Sequence, residues 1–208
     1  MKSPFRRVMT TPKKVVWDLC SGLGGWSEAF LQDEWTVIRI ETNEALQYVP
    51  HTYQLDVTKW TDWADDLPRP DVILASPPCL EFSTAFNAPK PKAKREGRDF
   101  QPDMTIVNCV RDIIDAYDPQ WWVVENVNGA IKTLDPIYGR YKQQVGPFYL
   151  WGKFPMIYMP GDWHHLKTDS DVWSSDPLRA NKKAMIPFEV SFRLLKAIKE
   201  TSTLWEWI

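Results

Sequence analysis

Buried-strand patterns alternate with helical patterns along this 208-residue chain. Short runs of β-branched and apolar residues are typical of strands that are covered on both faces. Such runs predict strands at Val15–Leu19, 36–40, 53–55, Val72–Ala75, 121–124 and 148–151. Apolar residues at helical spacing predict helices at 104–117 and 188–198, the second burying Phe192, Leu195 and Ile198. The alternation predicts an α/β fold with a mostly parallel sheet and helices on both faces.

The overall composition narrows the class of protein. With 208 residues and 44% hydrophobic content, we expect residues 1–208 to form a single domain. No apolar stretch approaches the roughly 20 residues of a membrane span, and the basic N-terminus lacks the apolar core of a signal peptide. Three cysteines without a CxxC spacing and three histidines argue against a disulfide framework or a metal site. These features predict a cytoplasmic protein that binds neither metal nor membrane.

A reactive side chain follows the predicted strand at 72–75. Ser76, Pro77 and Pro78 end the strand, because proline removes a ladder donor and fixes φ, and Cys79 comes next. Open α/β sheets carry ligands and chemistry at the carboxyl ends of their strands. Taken alone, this segment is compatible with a nucleophilic thiol or with a structural one.

Two other predicted strands also lead into polar or glycine-rich segments. The strand at 121–124 is followed by Glu125 and Asn126, which are costly to bury without partners. They belong either to a site or, in the case of Asn126, to a helix cap or Asx-turn. Val15–Leu19 is followed by a glycine-rich turn at 20–25. Its glycines let the backbone approach a ligand, or they serve tight packing.

Three motifs occur in a fixed order: Asp-Leu-Cys-Ser-Gly-Leu-Gly-Gly, then Ser-Pro-Pro-Cys-Leu-Glu-Phe-Ser, then Val-Val-Glu-Asn-Val. Together they resemble the cytosine-5 DNA methyltransferases over residues 15–152. The resemblance implies a Rossmann-like, S-adenosylmethionine-dependent methyltransferase fold and methyl transfer to carbon 5 of cytosine in DNA. It implies that Cys79 is the nucleophile, that Glu125 handles the cytosine, and that Asn126 and Pro78 complete the catalytic group.

The same resemblance implies an S-adenosylmethionine site at the carboxyl edge of the sheet. In the family, an acid after the second strand binds the ribose, and one after the third strand meets the adenine amine. Glu41 and Asp56 occupy these positions here, unless they are ordinary turn and cap acids at the surface. The expected cofactor-binding residues are Asp18, Cys20, Ser21, Gly22, Gly24, Gly25, Trp26, Glu41, Asp56, Val57, Ser76 and Pro77.

A basic run lies directly after the Cys79 segment. It contains one acid, Glu96, and belongs to a Pro- and Lys-rich stretch at 82–101 that we expect to be a loop. Basic runs are often only solvated surface, but a position beside the nucleophile favours phosphate contacts. The expected DNA-binding residues are Ser83, Lys90, Lys92, Lys94, Arg95, Arg98 and Arg140.

The chain departs from the family in three places. Residues 186–190 read Ile-Pro-Phe-Glu-Val where the family has Gly-Asn-Ser-Val near the C-terminus, so the asparagine is missing. Residues 143–147 read Gln-Gln-Val-Gly-Pro where the family has Gln-x-Arg-x-Arg, and Arg140 or Lys142 are nearby basic residues that could substitute. Only residues 153–185 stand where the family has a target-recognition domain, and they are too short for a core of their own. We therefore expect a compact, phage-type enzyme with low or very short sequence specificity, to which a protein partner could supply targeting.

Two alternative functions remain open at the level of sequence. The first keeps the chemistry but changes the substrate to cytosine in RNA or in a free nucleotide, which needs no recognition domain. The second is a catalytically silent module that binds the cofactor or DNA. The missing arginines favour this second alternative, whereas the joint presence of Cys79, Glu125 and the glycine turn argues against it.

Overall fold

The protein folds around one mixed β-sheet. The computed structural model describes residues 13–165 and 175–205, and the structural statements below refer to these residues. The sheet comprises β1 (Val15–Leu19), β2 (Thr36–Glu41), β3 (Thr52–Gln54), β4 (Val72–Ala75), β5 (Trp121–Asn126), β6 (Gln143–Val145) and β7 (Phe148–Lys153). The helices are α1 (Glu28–Gln32), α2 (Pro89–Arg95), α3 (Thr105–Tyr117), α4 (Ile131–Tyr138), α5 (Arg179–Ala184) and α6 (Phe188–Trp205).

The strand order places a crevice at the middle of the sheet. The order is β3-β2-β1-β4-β5-β7-β6, so the chain moves outward in one direction from β1 and in the other direction from β4. All pairs from β3 to β5 are parallel, whereas β7 is antiparallel to both β5 and β6. In open α/β sheets, ligands bind where the order reverses, beyond the carboxyl ends of the two central strands. Here the glycine turn follows β1, and the Pro-Pro-Cys segment follows β4.

Helices cover both faces of the sheet, which confirms the predicted architecture. Successive side chains of a strand point to opposite faces, so in β1 Val16 belongs to one hydrophobic cluster and Trp17 to the other. The Trp17 cluster includes the apolar faces of α3 and α4. The Val16 cluster includes those of α1 and α6. No helix among the described residues is both long enough and apolar enough to cross a membrane.

The stretch at 82–101 is not the continuous loop that was expected. Residues Pro89–Arg95 form α2, because proline at the first helical position loses no hydrogen bond that the helix needs. Ala88 and Ala93 are buried at its base. The basic side chains of this stretch are therefore presented by a short, anchored helix.

Two further elements differ from their predicted form. β5 continues through Glu125 and Asn126, because β7 pairs with both of these positions. Along α6, Leu195 and Ile198 are buried as predicted, but Phe192 is 46% exposed. The buried face of α6 follows Val190 and every fourth residue after it, and Phe192 lies about 200° around the helix from Val190.

Candidate active site

A cavity of about 690 Å³ opens at the carboxyl ends of the central strands. Its lining comes from the glycine turn, the ends of β2 and β5, the Pro-Pro-Cys segment, α3 and α5. Most of the predicted site residues meet here, namely Cys20, Ser21, Gly22, Gly25, Trp26, Glu41, Asp56, Val57, Ser76, Pro77, Pro78, Cys79 and Glu125. Asp18, Gly24 and Asn126 are absent from the lining.

The glycine turn is fixed by the carboxylate at the end of β2. Glu41 Oε2 accepts a hydrogen bond from the backbone N–H of Gly22 at 2.9 Å. Its Oε1 accepts from the N–H groups of Thr42 and Asn43, both at 2.9 Å. Gly22 has a φ of 53°, a backbone conformation that glycine adopts without steric cost. The carboxylate is therefore held in place at the cavity, with Oε2 able to accept a further hydrogen bond from a ligand.

A buried arginine, which the sequence reading did not single out, supports the turn from below. Arg39 is 1% exposed and donates to Ser27 Oγ, to the carbonyl oxygens of Gly24 and Pro50, and to Glu28. Ser27 Oγ in turn donates to Asp18 Oδ2 at 2.6 Å. An arginine inside an apolar strand requires such partners. Its position among the apolar residues of β2 is the signal in the sequence that could have identified it.

Asp18 lies beneath the cavity and not in its wall. Its side chain is fully buried, and Oδ1 has no hydrogen-bond partner within the described structure. Burial raises the pKa of Asp18 to about 7, although Ser27 and the Arg39 charge both act to lower it. Burial prevails because Arg39 reaches Asp18 only through the Ser27 hydroxyl. Asp18 therefore supports the glycine turn through Ser27, and its expected contact with a cofactor stays a prediction.

The second and third glycines of the turn, Gly24 and Gly25, are required by packing. A Cβ atom on Gly24 would lie 2.5 Å from the Arg39 guanidinium, and its φ of 77° disfavours other residues. A Cβ atom on Gly25 would lie 2.3 Å from the carbonyl oxygen of Ile186, just before α6. These two glycines allow close packing around the turn, whereas the prediction attributed Gly24 to the approach of a ligand.

The Pro-Pro-Cys segment is tied to both neighbouring strands. Asn126 Nδ2 donates to the carbonyl oxygen of Pro77 at 3.0 Å, and Asn126 Oδ1 accepts from the N–H of Val127. Trp26 Nε1 donates to Ser76 Oγ at 3.0 Å and so joins this segment to the glycine turn. Asn126 is 1% exposed. The geometry thus makes Asn126 a positioning residue for the segment that carries Cys79, and not a residue of the cavity wall.

Cys79 and Glu125 face the same cavity from adjacent strands. Cys79 follows β4 and is partly exposed, while Glu125 is in β5 and only 8% exposed. The second thiol in the cavity, Cys20, is in a different electrostatic setting. Burial raises the pKa of the Cys20 thiol well above its usual range, and the charges of Glu41 and Asp18 add to this effect. Since the thiolate is the nucleophilic form, Cys79 is the better candidate of the two.

Asp56 follows β3 and lines the cavity. Its Oδ1 accepts from both the N–H and the hydroxyl of Thr58, and these hydrogen bonds lower the pKa of Asp56. Asp56 therefore caps the following turn, which is the alternative that the sequence left open, and it also lines the cavity. The two descriptions are compatible, because Oδ2 is not used by the cap.

Six of the seven predicted DNA-binding residues lie in the segment that connects Cys79 to α3. Lys90, Lys92, Lys94, Arg95 and Arg98 are all exposed on or just after α2. Ser83 Oγ accepts a hydrogen bond from the N–H of Ala85 and so stabilises the segment before α2. Arg98 pairs with Glu96. Arg140 is exposed beyond α4 and is not part of the cavity lining, so it does not replace the missing arginines within the cavity.

Residues in and next to the segment that lacks the arginines make structural contacts away from the cavity. Val145 is 3% exposed and belongs to the hydrophobic cluster around Val16. Gln143 holds the backbone of Ile157 through two hydrogen bonds, of 2.6 and 3.0 Å. Lys142 donates to the carbonyl oxygen of Phe154. None of these three side chains lines the cavity.

Several lining residues were not predicted from the sequence. Asn181 of α5 closes one side of the cavity, with Nδ2 3.7 Å from where a Cβ atom on Gly22 would lie. Met185 and Ile186, which follow α5, also line the cavity. The segment expected to be a remnant of a recognition domain therefore contributes to the wall. Its helix has no buried residue, so hydrophobic spacing could not reveal it.

The reversed strand order, the glycine turn and a cavity at the carboxyl edge define the chain as a Rossmann-like methyltransferase fold. The family model described as C-5 cytosine-specific DNA methylase matches residues 15–136, and the chain belongs to this family. No curated protein matches the sequence. Within the described residues, no three His, Cys, Asp or Glu side chains are grouped so that they could hold a metal ion.

Solved structures of three methyltransferases resemble the chain at low identity. Entamoeba histolytica methyltransferase EhMeth is 16% identical over 74% of this chain and 57% of its own, with a TM-score of 0.50, which supports the fold alone. An E. coli prophage protein described as a DNA modification methyltransferase is 18% identical over 67% and 46%, with a TM-score of 0.43. A variant of Spodoptera frugiperda DNMT2 is 19% identical over 56% and 36%, with a TM-score of 0.38. The chain thus spans less than two thirds of each of these proteins.

Proposed function

We propose that this protein transfers a methyl group from S-adenosylmethionine to carbon 5 of cytosine in DNA, with Cys79 as the nucleophile. The observation that carries the proposal is the meeting of Cys79, Glu125 and the glycine turn in one cavity. Each of the three has a plausible structural explanation alone. Their convergence from β1, β4 and β5, in a chain of this family, favours a shared chemical role.

The cavity fits a cofactor with a ribose and an adenine ring. Its volume lies within the usual range for sites of small molecules and cofactors. The Glu41 carboxylate at the rim is suited to accept hydrogen bonds from ribose hydroxyls, and Asp56 is suited to accept one from the adenine amine. When bound, S-adenosylmethionine supplies a methyl group on a positively charged sulfur. The residues proposed to hold it are Cys20, Ser21, Gly22, Gly25, Trp26, Glu41, Asp56, Val57, Ser76 and Pro77, with Asp18 and Gly24 in support.

Cys79 would act by covalent catalysis, because carbon 5 of cytosine is a weak nucleophile. The Cys79 thiolate adds to carbon 6 of the ring, and the electron pair of the 5,6 double bond moves toward carbon 5 and the ring. Glu125, held in the wall beside Cys79, can share a proton with ring nitrogen 3 and offset the negative charge that develops there. Carbon 5 would then take the methyl carbon as its bond to the cofactor sulfur breaks, which leaves S-adenosylhomocysteine, and would afterwards lose its proton to water. The carbon–sulfur bond breaks, and the thiolate leaves with the ring aromatic again.

Asn126 and the two prolines would place the nucleophile. The hydrogen bond from Asn126 to Pro77 fixes the backbone two residues before Cys79, and proline itself restricts φ. Glu125 and Asn126 are neighbours in β5, so the same strand positions both the acid and the loop. Such coupling keeps the thiol and the carboxyl group in a constant relation, which covalent catalysis requires.

DNA is proposed as the substrate because of the basic surface on α2. In a duplex the target carbon is inside the base stack, so the cytosine must be turned out before it reaches Cys79. Residues 153–185 are few, and part of this segment, including α5, already lines the cavity. We therefore propose a single domain of 208 residues with a short recognition site, for which a protein partner could add targeting.

The alternative substrates would undergo the same chemistry but differ in whether they need the basic surface on α2. Cytosine in RNA would use the same α2 lysines, and the short 153–185 segment is the observation that favours it. A free nucleotide lacks the chain of phosphates that an exposed basic helix could contact. For the silent-module alternative, the cavity would bind the cofactor while Cys79 stayed unreacted.

Analysis of nucleosides from host DNA tests the proposal directly. Expression of the protein should produce 5-methylcytosine in host DNA, measured by mass spectrometry of the digested nucleosides, and Cys79→Ala should produce none above the background of the host. Methylcytidine in RNA with unmodified DNA would replace DNA by RNA as the substrate. No modified nucleoside in either polymer, with S-adenosylhomocysteine still bound, would indicate the silent module.

A further inference from the structure

An exposed phenylalanine lies on the segment that connects Cys79 to α2. Phe86 is 72% exposed, the largest exposed fraction of any phenylalanine ring given for the described residues. The Arg95 guanidinium carbon lies 3.8 Å from the ring centroid, and Arg95 Nη1 donates to the carbonyl oxygen of Phe86 at 2.6 Å. One face of the ring is therefore covered by a cation, while most of the ring remains open to solvent.

The segment that carries Phe86 is anchored where it leaves Cys79. Phe82 is 2% exposed and ends the short turn Leu80–Phe82 that follows Cys79. A Cβ atom on Gly129 would lie 2.0 Å from the Phe82 carbonyl oxygen, so this turn packs closely on the segment after β5. Within the same turn, Glu81 accepts a hydrogen bond from the backbone N–H of Asp103. The chain between Cys79 and Phe86 therefore starts from an anchored base.

The surroundings of Phe86 favour a nucleic acid over a protein as the ligand. Lys90, Lys92 and Lys94 are exposed on the same short helix, so the ring is accompanied by several positive charges. Proteins that bind single-stranded nucleic acid combine these two features, since bases stack on an aromatic ring while cations follow the phosphates. An arginine on the far face of the ring adds a cation–π contact and holds the ring in one orientation.

We propose that Phe86, backed by Arg95, is a stacking platform for an unstacked base that neighbours the target cytosine. The proposal deepens the proposed function, because it assumes a polymer whose cytosine reaches Cys79. A base left without its neighbour, after the cytosine is turned out, would regain stacking on the open face of Phe86. Single strands and duplexes with an unpaired base beside the cytosine should then be preferred over a fully paired duplex.

Oligonucleotides with 2-aminopurine next to the cytosine test this directly, because this base fluoresces when unstacked and is quenched when stacked. Binding of the wild-type protein should quench it. Phe86→Ala should abolish the quenching and weaken binding to the single strand by about 5- to 100-fold, since one stacked base contributes that much. The salt dependence of binding should stay the same, because no phosphate contact is removed. Phe86→Trp should retain both the quenching and the affinity.

Phe192→Ala is the matched control, since Phe192 is an exposed phenylalanine on α6, outside the basic surface. It should bind and quench as the wild type does, and melting temperatures should show that all three variants fold. Full quenching by Phe86→Ala, or an equal loss in Phe192→Ala, would overturn the platform while leaving the methyl transfer assay unaffected. Conversely, Phe86-dependent quenching without any methyl transfer would support the platform and refute the proposed function.

Discussion

The two sides of the cavity are built in opposite ways. The glycine-turn half, residues 18–41, is held by buried polar contacts around Arg39 and by the Glu41 carboxylate, which accepts three backbone hydrogen bonds. The basic half, residues 79–98, buries the side chains of Phe82, Ala88 and Ala93, and its Lys and Arg side chains are all exposed. Trp26 joins the two through its hydrogen bond to Ser76.

This difference indicates what each half has to recognise. A small cofactor is best bound by groups that are already fixed, because no ordering is then needed on binding. A polymer is attracted by exposed charges that follow its phosphates, and such charges need no rigid support. The contrast predicts that substitutions in the glycine-turn half change stability, whereas those in the basic half change affinity for nucleic acid at constant stability.

The largest effect is expected where the two halves meet. Cys79→Ala should lower methyl transfer by about a thousandfold or more, because the covalent route is lost. The melting temperature and the binding of S-adenosylhomocysteine should remain the same. DNA containing 5-fluorocytosine should trap a covalent adduct with the wild type, identified by peptide mass spectrometry at Cys79.

The control for this variant is Cys109→Ala, on α3 and outside the cavity lining. It should retain both transfer and the adduct. An adduct at Cys20 would place the nucleophile in the glycine-turn half and would contradict the assignment of that half to the cofactor alone. That outcome is not expected, because burial raises the pKa of Cys20 far above its usual range.

Removal of the buried Arg39 charge should lower the free energy of unfolding far more than removal of an exposed charge. Arg39→Met removes the guanidinium donor to Ser27 Oγ and to the carbonyl oxygens of Gly24 and Pro50, and breaking a buried charge network costs about 3–5 kcal/mol. Urea unfolding should show this loss in the free energy of unfolding. Arg111→Met, which removes a partly exposed pair with Asp115, should cost less than about 1 kcal/mol. Equal costs for the two variants would contradict the role assigned to Arg39.

The raised pKa of Asp18 should make the free energy of unfolding depend on pH. Its pKa is about 7 in the folded protein against 3.8 for an ordinary aspartate, so the folded state binds more protons between these values. The free energy of unfolding should therefore be highest near pH 4 and fall as the pH rises toward 7, by about 1.4 kcal/mol per pH unit at most. Above pH 7 the contribution of Asp18 is lost and the curve should level.

Asp18→Asn should remove this slope, because the amide carries no charge and its oxygen can still accept the Ser27 hydrogen bond. Asp56→Asn is the control. The pKa of Asp56 is lowered, so its own contribution changes only below its usual titration range. Urea unfolding between pH 4 and pH 8 measures all three proteins, and a slope that survives in Asp18→Asn would assign it to another group.

The central strands and the site motifs could be predicted from the sequence because their physical signals are local. Val72–Ala75 is a short apolar run ended by prolines, and the glycine turn combines small residues with a flanking strand. β5 was predicted too short, because a carboxylate within a strand is costly unless something compensates. The compensation is pairing with β7, which brings Leu150 opposite Glu125, and no local pattern contains that information.

The features that were missed depend on distant contacts or lack a pattern. Arg39 lies next to apolar residues in β2, and only the fold reveals that Ser27, Gly24 and Pro50 converge on it. α5 has no buried residue, so it has no hydrophobic spacing to recognise. α2 contains two prolines among lysines, which is typical of a loop, yet proline in a first helical turn is tolerated.

The smallest effect is expected from charges of the basic half. Lys90 and Lys94 lie one helical turn apart on α2, so their side chains emerge on the same side. If both contact phosphates, Lys90→Gln/Lys94→Gln should reduce the slope of log affinity against log salt by about 2 and weaken binding to all sequences alike. Stability should be unchanged, because both side chains are exposed.

The control removes two charges from another helix. Lys196→Gln/Lys199→Gln changes the net charge equally, and both lysines lie on α6, where they pair with Glu200 and Asp33. Anisotropy titrations of a labelled duplex at several salt concentrations should then separate local contact from net charge. If both double variants reduce the slope equally, attraction by the whole protein explains binding, and the basic half is not a docking surface. If only the α2 variant reduces the slope, the basic half binds the polymer, and the glycine-turn half is left to bind the cofactor.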